Sequence, residues 1–265
     1  MDYKILAVGD VVGNPGLDIL RRRLPELRRK TGADLVIVNG ENAAMVGVTP
    51  KQAEKIRDAG ADVITLGNHT WKCREILPDL DDCSVILRPA NYAPELPGRG
   101  WGVYTTARGN EIAVVNLVGR LDMALVPDDP FRKADAILEK LGRTPVFVDF
   151  HAEATSEKQA FGRYLDGRAA AVFGTHTHVP TADARVLPKG TGYVTDLGMT
   201  GARESVLGIR TEQSIALFRG MLTSRFEAAE GPCMLQATLF TVDGATNLCR
   251  KAERVDVYDE IPARG

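Results

Sequence analysis

Along its first two thirds the chain alternates short apolar runs with amphipathic stretches of helical period. Residues 4–8 (KILAV) read as a buried strand that stops at Gly9-Asp10. Asn14-Pro15 then predicts a helix reaching about Lys30, with Asn14 as N-cap and Pro15 at the first helical position. Residues 35–38 are a second strand, ending in Asn39-Gly40-Glu41-Asn42. Thr49-Pro50-Lys51-Gln52 is a capping box for the next helix, since the Thr and Gln side chains can each satisfy the other's backbone N–H. Residues 63–66 are a third strand, ending in Gly67-Asn68-His69. This rhythm sets three polar clusters at the C-terminal ends of three strands, the edge where open α/β sheets bind ligands.

The middle is less regular. Residues 103–106 and 112–116 predict a hairpin around Arg108-Gly109-Asn110, and Asp129-Pro130 caps a helix to about Leu141. Residues 146–150 form another core strand that delivers His151. A helix over 154–165 follows, then a strand over 170–173 that delivers Gly174-Thr175-His176-Thr177-His178. From Ala184 onward the pattern is mostly β (193–195, 234–241, 248–257), with one helix near 211–220. Such βα units followed by strands predict an α/β fold of two facing mixed sheets with helices outside, not one doubly wound sheet. No repeat, low-complexity segment or linker divides the chain, so a single domain over residues 1–265 is expected.

Composition narrows the partners. Of 265 residues, 44% are hydrophobic and 26% charged, enough for one large core. Lys and Arg total 33 against 35 Asp and Glu, a net charge of -2 with no long run of one sign. Binding to polymeric nucleic acid would need a basic patch and is not expected. A small phosphorylated ligand stays open, because bound metal can supply positive charge locally. The four cysteines show no CxxC pairing, and the chain passes from Met1 straight into a strand-like run without a secretory apolar region. Reduced thiols in the cytoplasm are therefore expected. Apolar runs are strand-sized, so no membrane span is expected.

Five segments carry the candidate chemistry: Gly9-Asp10, Asn39-Gly40-Glu41-Asn42, Gly67-Asn68-His69, Phe150-His151-Ala152-Glu153 and Gly174-Thr175-His176-Thr177-His178. Each follows an apolar strand. Together they offer hard oxygen and borderline nitrogen donors without thiolate, which suits a Mn, Fe or Zn pair better than a structural zinc site. Asp10, Asn42 and Asn68 taken singly are ordinary turn residues, and a lone His151 is more often a hydrogen-bonded core histidine. All four histidines of the chain, however, lie at strand ends beside another candidate ligand. His176 and His178 would face the same way on an extended strand, or reach two different ions if the segment turns. A carboxylate such as Glu41 can bridge two cations, and ions about 3.5–4 Å apart can hold a hydroxide and clamp a phosphoryl oxygen.

With these residues in place, the chain resembles the calcineurin-like metallophosphoesterase superfamily, whose spaced signature is GD-x-H, GD-x-x-D, GNH-E/D, a later lone His and GH-x-H. Within it, Gly9-Asp10-Val11-Val12-Gly13, Asn39-Gly40-Glu41-Asn42, Gly67-Asn68-His69-Thr70-Trp71, the segment from Phe150 to Lys158 and the segment from Gly174 to Asp183 are similar to the YmdB family of bacterial phosphodiesterases. Asp196-Leu197-Gly198-Met199-Thr200-Gly201 is similar too, so the resemblance runs from Val8 to about Gly208. Val12 stands where the wider superfamily has a histidine ligand, and Glu41, followed by Asn42, stands where it has a bridging Asp. The YmdB family shares both changes.

The resemblance implies a four-layer α/β/β/α sandwich and two transition-metal ions, iron first and manganese second. It places Asp10, Glu41, Asn42 and His178 on the first ion, and Glu41, Asn68, His151 and His176 on the second. His69 matches the family's acid, placed to protonate the leaving alkoxide; orienting Asn68 is its alternative role. Hydrolysis of 2′,3′-cyclic nucleotides to 3′-nucleotides by a metal-held hydroxide is the implied activity. A broader phosphomonoesterase or nucleotide phosphatase, and a metal-bound regulatory or scaffold protein, are the competing readings. Trp71 could stack on a base or belong to the core. Met199 and Thr200 could line the pocket or form a plain turn. Glu153 and Glu157 could orient an imidazole, with a solvated helix start the simpler reading of Glu157. The implied partner is a small phosphodiester, without membrane, and a homo-oligomer is open.

Overall fold

The apolar runs become parallel strands because both of their faces are buried. The computed structural model describes residues 1–123 and 126–259; residues 124–125 and 260–265 of the expected single domain lie outside the described part. The chain runs β1 (Asp2–Val8), β2 (Asp10–Val11), α1 (Gly13–Thr31), β3 (Leu35–Asn39), α2 (Pro50–Asp58), β4 (Val63–Thr65), α3 (Leu77–Asp82) and β5 (Ile86–Leu87). It continues through β6 (Trp101–Thr105), β7 (Glu111–Val118), α4 (Pro130–Leu141), β8 (Val146–His151), α5 (Thr155–Tyr164), β9 (Ala171–Thr175), β10 (Arg185–Val186) and β11 (Gly192–Val194). The last third adds β12 (Met199–Ala202), α6 (Thr211–Phe218), β13 (Cys233–Leu235), β14 (Ala237–Asp243), β15 (Cys249–Arg254) and β16 (Val257–Tyr258).

One mixed six-stranded sheet has the order β15-β14-β1-β3-β4-β5, and a second has β10-β11-β9-β8-β7-β6. Strand parity sorts side chains between cores. Ile5, Ala7, Leu35 and Ile37 face the second sheet and meet Ile112, Val114, Phe147 and Phe173 there. Their neighbours Leu6, Val8, Val36 and Val38 pack on Leu20 and Leu24 of α1 and Ile56 of α2. On the far side, Val146, Val148 and Phe150 pack under Ile137 of α4 and Phe161 of α5. Helices, sheet, sheet and helices thus form the expected four layers. Each of these Val, Leu, Ile and Phe side chains contributes roughly 1.5–3 kcal/mol by leaving water.

Local signals hold at several ends. Thr49 and Gln52 make the reciprocal capping bonds of α2, and the Asp129 side chain accepts from the N–H groups of Phe131 and Arg132. The start of α1 differs: it begins at Gly13, and Asn14 does not cap it. The Gly13 N–H is taken by the Asn42 carbonyl and the Val12 N–H by Thr200, so tertiary partners replace a side-chain cap.

A third, four-stranded sheet, β16-β13-β12-β2, is not anticipated by the hydrophobic pattern. It arises because three runs change sheets midway. The run 234–241 breaks at Gln236, whose carbonyl accepts from Gly9 and whose Oε1 accepts from Met199 N–H at 2.9 Å. Opposite it, β1 gives way to β2 at Gly9, where a Cβ would collide with the Gly198 carbonyl. The run 248–257 likewise splits at Val255-Asp256, with Asp256 Oδ1 accepting the Ala237 N–H.

The inter-sheet layer turns polar at the strand ends that carry the candidate chemistry. On the inward parity, Asn39 follows Ile37, Thr65 follows Val63, Asn116 follows Val114, Asp149 follows Phe147 and Thr175 follows Phe173, and all five polar residues are buried. Among the described residues, no helix is long and apolar enough to cross a membrane.

Candidate metal centre

Five loops at the C-terminal ends of parallel strands bring the expected ligands to one place between the sheets. β1 delivers Asp10, β3 delivers Glu41 and Asn42, β4 delivers Asn68 and His69, β8 ends on His151, and β9 delivers His176 and His178. Asp10, Glu41 and His151 are fully buried, and Asn42 and Asn68 nearly so.

The donors divide into two neighbouring groups. In one, His151 Nε2 lies 3.0 Å from Glu41 Oε1, 3.1 Å from Asn68 Oδ1 and 3.1 Å from His176 Nδ1. In the other, His178 Nε2 lies 3.6 Å from Asp10 Oδ1 and 3.1 Å from the Asn42 amide, which also reaches Asp10 at 3.5 Å. A half-turn of that amide would present its oxygen to the same point. Glu41 also faces His69: its Oε1 is 3.3 Å from His69 Nδ1, and its Oε2 accepts the His69 N–H at 3.1 Å. His176 and His178 do not lie on an extended strand. Their φ angles are +99° and +62°, so the segment turns and sends one imidazole to each group. Left-handed backbone costs about 1–2 kcal/mol for a residue with a Cβ, and the surrounding bonds offset it. His176 N–H donates to Asp10 Oδ2 at 3.1 Å, and His178 Nδ1 is held by the Leu207 carbonyl at 3.1 Å.

Electrostatics follow from this crowding. Burial works to raise the Asp10 and Glu41 carboxyls, but adjacent imidazoles outweigh it and hold both below the usual carboxylate range. Burial works to lower His151, yet Glu41 beside it pushes it up to about 9. For His176, half-buried against the His151 ring, partial burial and that imidazole lower it to about 3. For His178 the Asp10 carboxylate overcomes burial and shifts it upward.

These residues fit a bound cation. Among the described residues, Glu41, His151 and His176 offer ligand atoms that all lie within 4.8 Å of one another. Glu41 Oε1 is fully buried and makes no properly directed hydrogen bond, despite its closeness to two imidazoles. One ring nitrogen with three acceptors around it, and a carboxylate oxygen aimed past its neighbours, is the arrangement expected of donors converging on a common point. Val12, where the wider superfamily signature has a histidine, contributes only an apolar wall.

Asn42, His69, His176 and His178 line a cleft of about 900 Å³. Met45, Leu207, Ile209 and Phe226 make its walls apolar, and exposed Lys72 and Arg225 add positive charge. The His69 side chain is 27% exposed. Its Nδ1 is held by Asn42 Oδ1 at 3.1 Å, not by Asn68. Trp71, Met199 and Thr200 do not line this cleft. Trp71 turns back to pack edge-to-face on Tyr92, its Nε1 donating to the Pro97 carbonyl at 3.3 Å. Met199 and Thr200 are buried in β12, paired with Asp10 and Val11 of β2. Glu153 Oε2 is 3.2 Å from His176 Nε2, whereas Glu157 binds the backbone N–H groups of Arg120 and Leu121 instead of facing solvent.

Sequence reasoning missed Asp149 beneath the ligands, which burial pushes up to about 6. Its signal is a carboxylate inside the apolar run VFVDF, where an unpaired charge is costly.

The chain is similar over almost its full length to known proteins. It is 48% identical over 260 residues to a Bacillus subtilis protein named 2′,3′-cyclic-nucleotide 2′-phosphodiesterase, covering 97% of this chain and 98% of that one. A crystal structure of a Mycoplasma pneumoniae phosphatase superposes with a TM-score of 0.91 at 36% identity, covering 99% of this chain and 95% of the other. One of a hypothetical protein from Thermus thermophilus gives 0.90 at 41%, covering 97% and 100%. The sequence model of the YmdB-like protein family matches residues 6–255, and the chain belongs to that family.

Proposed function

We propose that this chain hydrolyses 2′,3′-cyclic nucleotides to 3′-nucleotides at a two-metal centre, with His69 as the general acid. The observation that carries the reading is the convergence of Glu41, His151 and His176 around a buried carboxylate oxygen without a hydrogen bond, beside His69 in the lining of the cleft. The similarity to the Bacillus subtilis phosphodiesterase supports it. Asp10, Glu41, Asn42 and His178 would hold one ion, and Glu41, Asn68, His151 and His176 the other. Bound there, the ions would supply positive charge against the phosphoryl oxygens and acidify a water enough to attack at neutral pH. Hard oxygen and borderline nitrogen donors favour iron, then manganese, and the thiols fit a cytoplasmic protein.

His69 is placed for its part by its own contacts. Asn42 Oδ1 holds Nδ1, and no protein hydrogen bond among the described residues engages Nε2, leaving it to give a proton to the departing 2′-oxygen. Replacing His69 with Gln is expected to lower kcat by about 10²- to 10⁴-fold while metal content stays unchanged. Steady-state kinetics beside elemental analysis of the same sample checks this. Loss of metal from the variant would show that His69 is a ligand and not the acid.

The cleft walls suit a nucleotide: an apolar side with Phe226 for a base, and the cations Lys72 and Arg225 for phosphate. Neither cation is in an ion pair among the described residues. Arg225→Ala is expected to raise KM for 2′,3′-cyclic AMP about fivefold with kcat held, as loss of roughly 1 kcal/mol of ground-state attraction would do.

The cations also suit a phosphate dianion, which keeps a phosphomonoesterase as the second reading. Turnover of a cyclic nucleotide, a synthetic diester and a monoester by one preparation separates the two. Faster turnover of the monoester would overturn the phosphodiesterase reading.

A further inference from the structure

We propose that Asp149 is a positioning residue that ties the ligands of the two sheets together, acting on His151 through Thr175 and on Glu41 through Asn39. The inference rests on the metal-centre reading and goes beyond it, because Asp149 touches no ligand donor atom itself.

The carboxylate is fully buried at the inward-facing end of β8, and three side chains from three other strands donate to it. Thr175 Oγ1 on β9 donates to Oδ1 at 2.7 Å. Asn39 Nδ2 on β3 donates to Oδ2 at 3.1 Å, and Thr65 Oγ1 on β4 donates to the same oxygen. Two of these strands belong to the first sheet and one to the second, so the carboxylate bridges the sheets where their ligand loops begin.

Each bond fixes something further out. The single Thr175 hydroxyl proton is committed to Asp149, so Thr175 Oγ1 can only accept from His151 Nδ1, 2.9 Å away. That assigns the Nδ1–H tautomer of neutral His151 and leaves the Nε2 lone pair facing Glu41 Oε1, Asn68 Oδ1 and His176 Nδ1. On the other sheet, Asn39 Oδ1 accepts the Glu41 N–H at 3.2 Å while its amide nitrogen is held by Asp149 and Thr175. One carboxylate thereby sets the ring orientation of one ligand and the backbone position of another. Such outer partners commonly govern metal affinity by 10- to 100-fold.

Asp149→Asn replaces an acceptor with a donor among three existing donors and endangers the fold, so Thr175 carries the test. Thr175→Val keeps the shape of the side chain and removes the hydroxyl; Thr175→Ser keeps the hydroxyl. The metal-free proteins are titrated with cobalt(II), and visible absorption reports both affinity and coordination geometry. Thr175→Val is expected to bind cobalt 10- to 100-fold more weakly with an altered spectrum, and Thr175→Ser to stay within about threefold of wild type with its spectrum intact. A Thr175→Val protein with wild-type affinity and spectrum overturns the proposal, as does a Ser variant impaired as badly as Val. Wild-type protein that takes up no cobalt overturns the metal-centre reading itself, and the proposal with it.

Discussion

Glu41→Gln should leave a folded protein that holds neither ion and turns over 2′,3′-cyclic AMP at least about 10³-fold more slowly. The substitution keeps size and shape while removing one negative charge from the carboxylate that faces His151 and His69. Wild-type Glu41 is fully buried beside two imidazoles, and its Oε1 lacks a directed hydrogen bond. Such an oxygen is poorly satisfied in the metal-free protein and well satisfied only by a cation, so the cost of losing its charge falls on metal binding more than on folding. Two measurements check this together. Elemental analysis should show the variant depleted of metal. Added manganese should raise the melting temperature of wild-type protein and leave that of the variant unmoved, because a ligand stabilises only a fold that binds it. A variant with full metal content and wild-type turnover would remove Glu41 from the bridging position.

The parts of this molecule readable from sequence are those in which local pattern and tertiary role coincide. Residues 4–8, 35–38 and 63–66 read as strands because both faces are apolar, and both faces are in fact buried, one against the helices and one against the second sheet. The polar residues that end these runs and the run 146–150 stand out against them, which is why Asp10, Glu41, Asn68 and His151 are visible as candidates. What sequence does not show depends on partners distant in the chain. The apolar run 234–241 looks continuous, and only pairing with Gly9 and Met199 makes Gln236 a crossing point between sheets. The turn that separates His176 from His178 needs positive φ at two residues that carry a Cβ, contrary to local preference, and is dictated by Asp10 and Leu207. Asp149 is hidden in a strand that otherwise reads as pure core, since its three donors come from three other strands. Trp71 is a position where sequence leaves stacking on a base and core packing open, and its edge-to-face contact with Tyr92 is also settled by a partner distant in the chain.

Lys158→Met should destabilise the fold by about 3–5 kcal/mol, the usual consequence of removing one member of a buried ion pair. In sequence Lys158 looks like one more polar residue on a helix start. In the structure it is 2% exposed, and its Nζ donates to the equally buried Asp196 at 2.7 Å. The same Asp196 oxygen accepts from the Thr177 N–H at 3.2 Å and the Thr177 hydroxyl at 2.8 Å, and Oδ1 takes the Gly198 N–H at 2.8 Å. Thr177 lies between the two left-handed histidines, so the pair anchors the segment that turns there. Methionine fills the space of the lysine stem but leaves Asp196 charged and without its cation, and burial already shifts that carboxyl upward. Urea unfolding of metal-free protein, with the m-value unchanged, would measure the loss. Adding Asp196→Asn to Lys158→Met should recover only part of it: the amide buries no charge and its oxygen still accepts from Thr177, but its NH2 faces the Gly198 N–H that Oδ1 accepts in the wild type. A double variant no more stable than Lys158→Met alone would show that the stranded charge is not what destabilises the single variant.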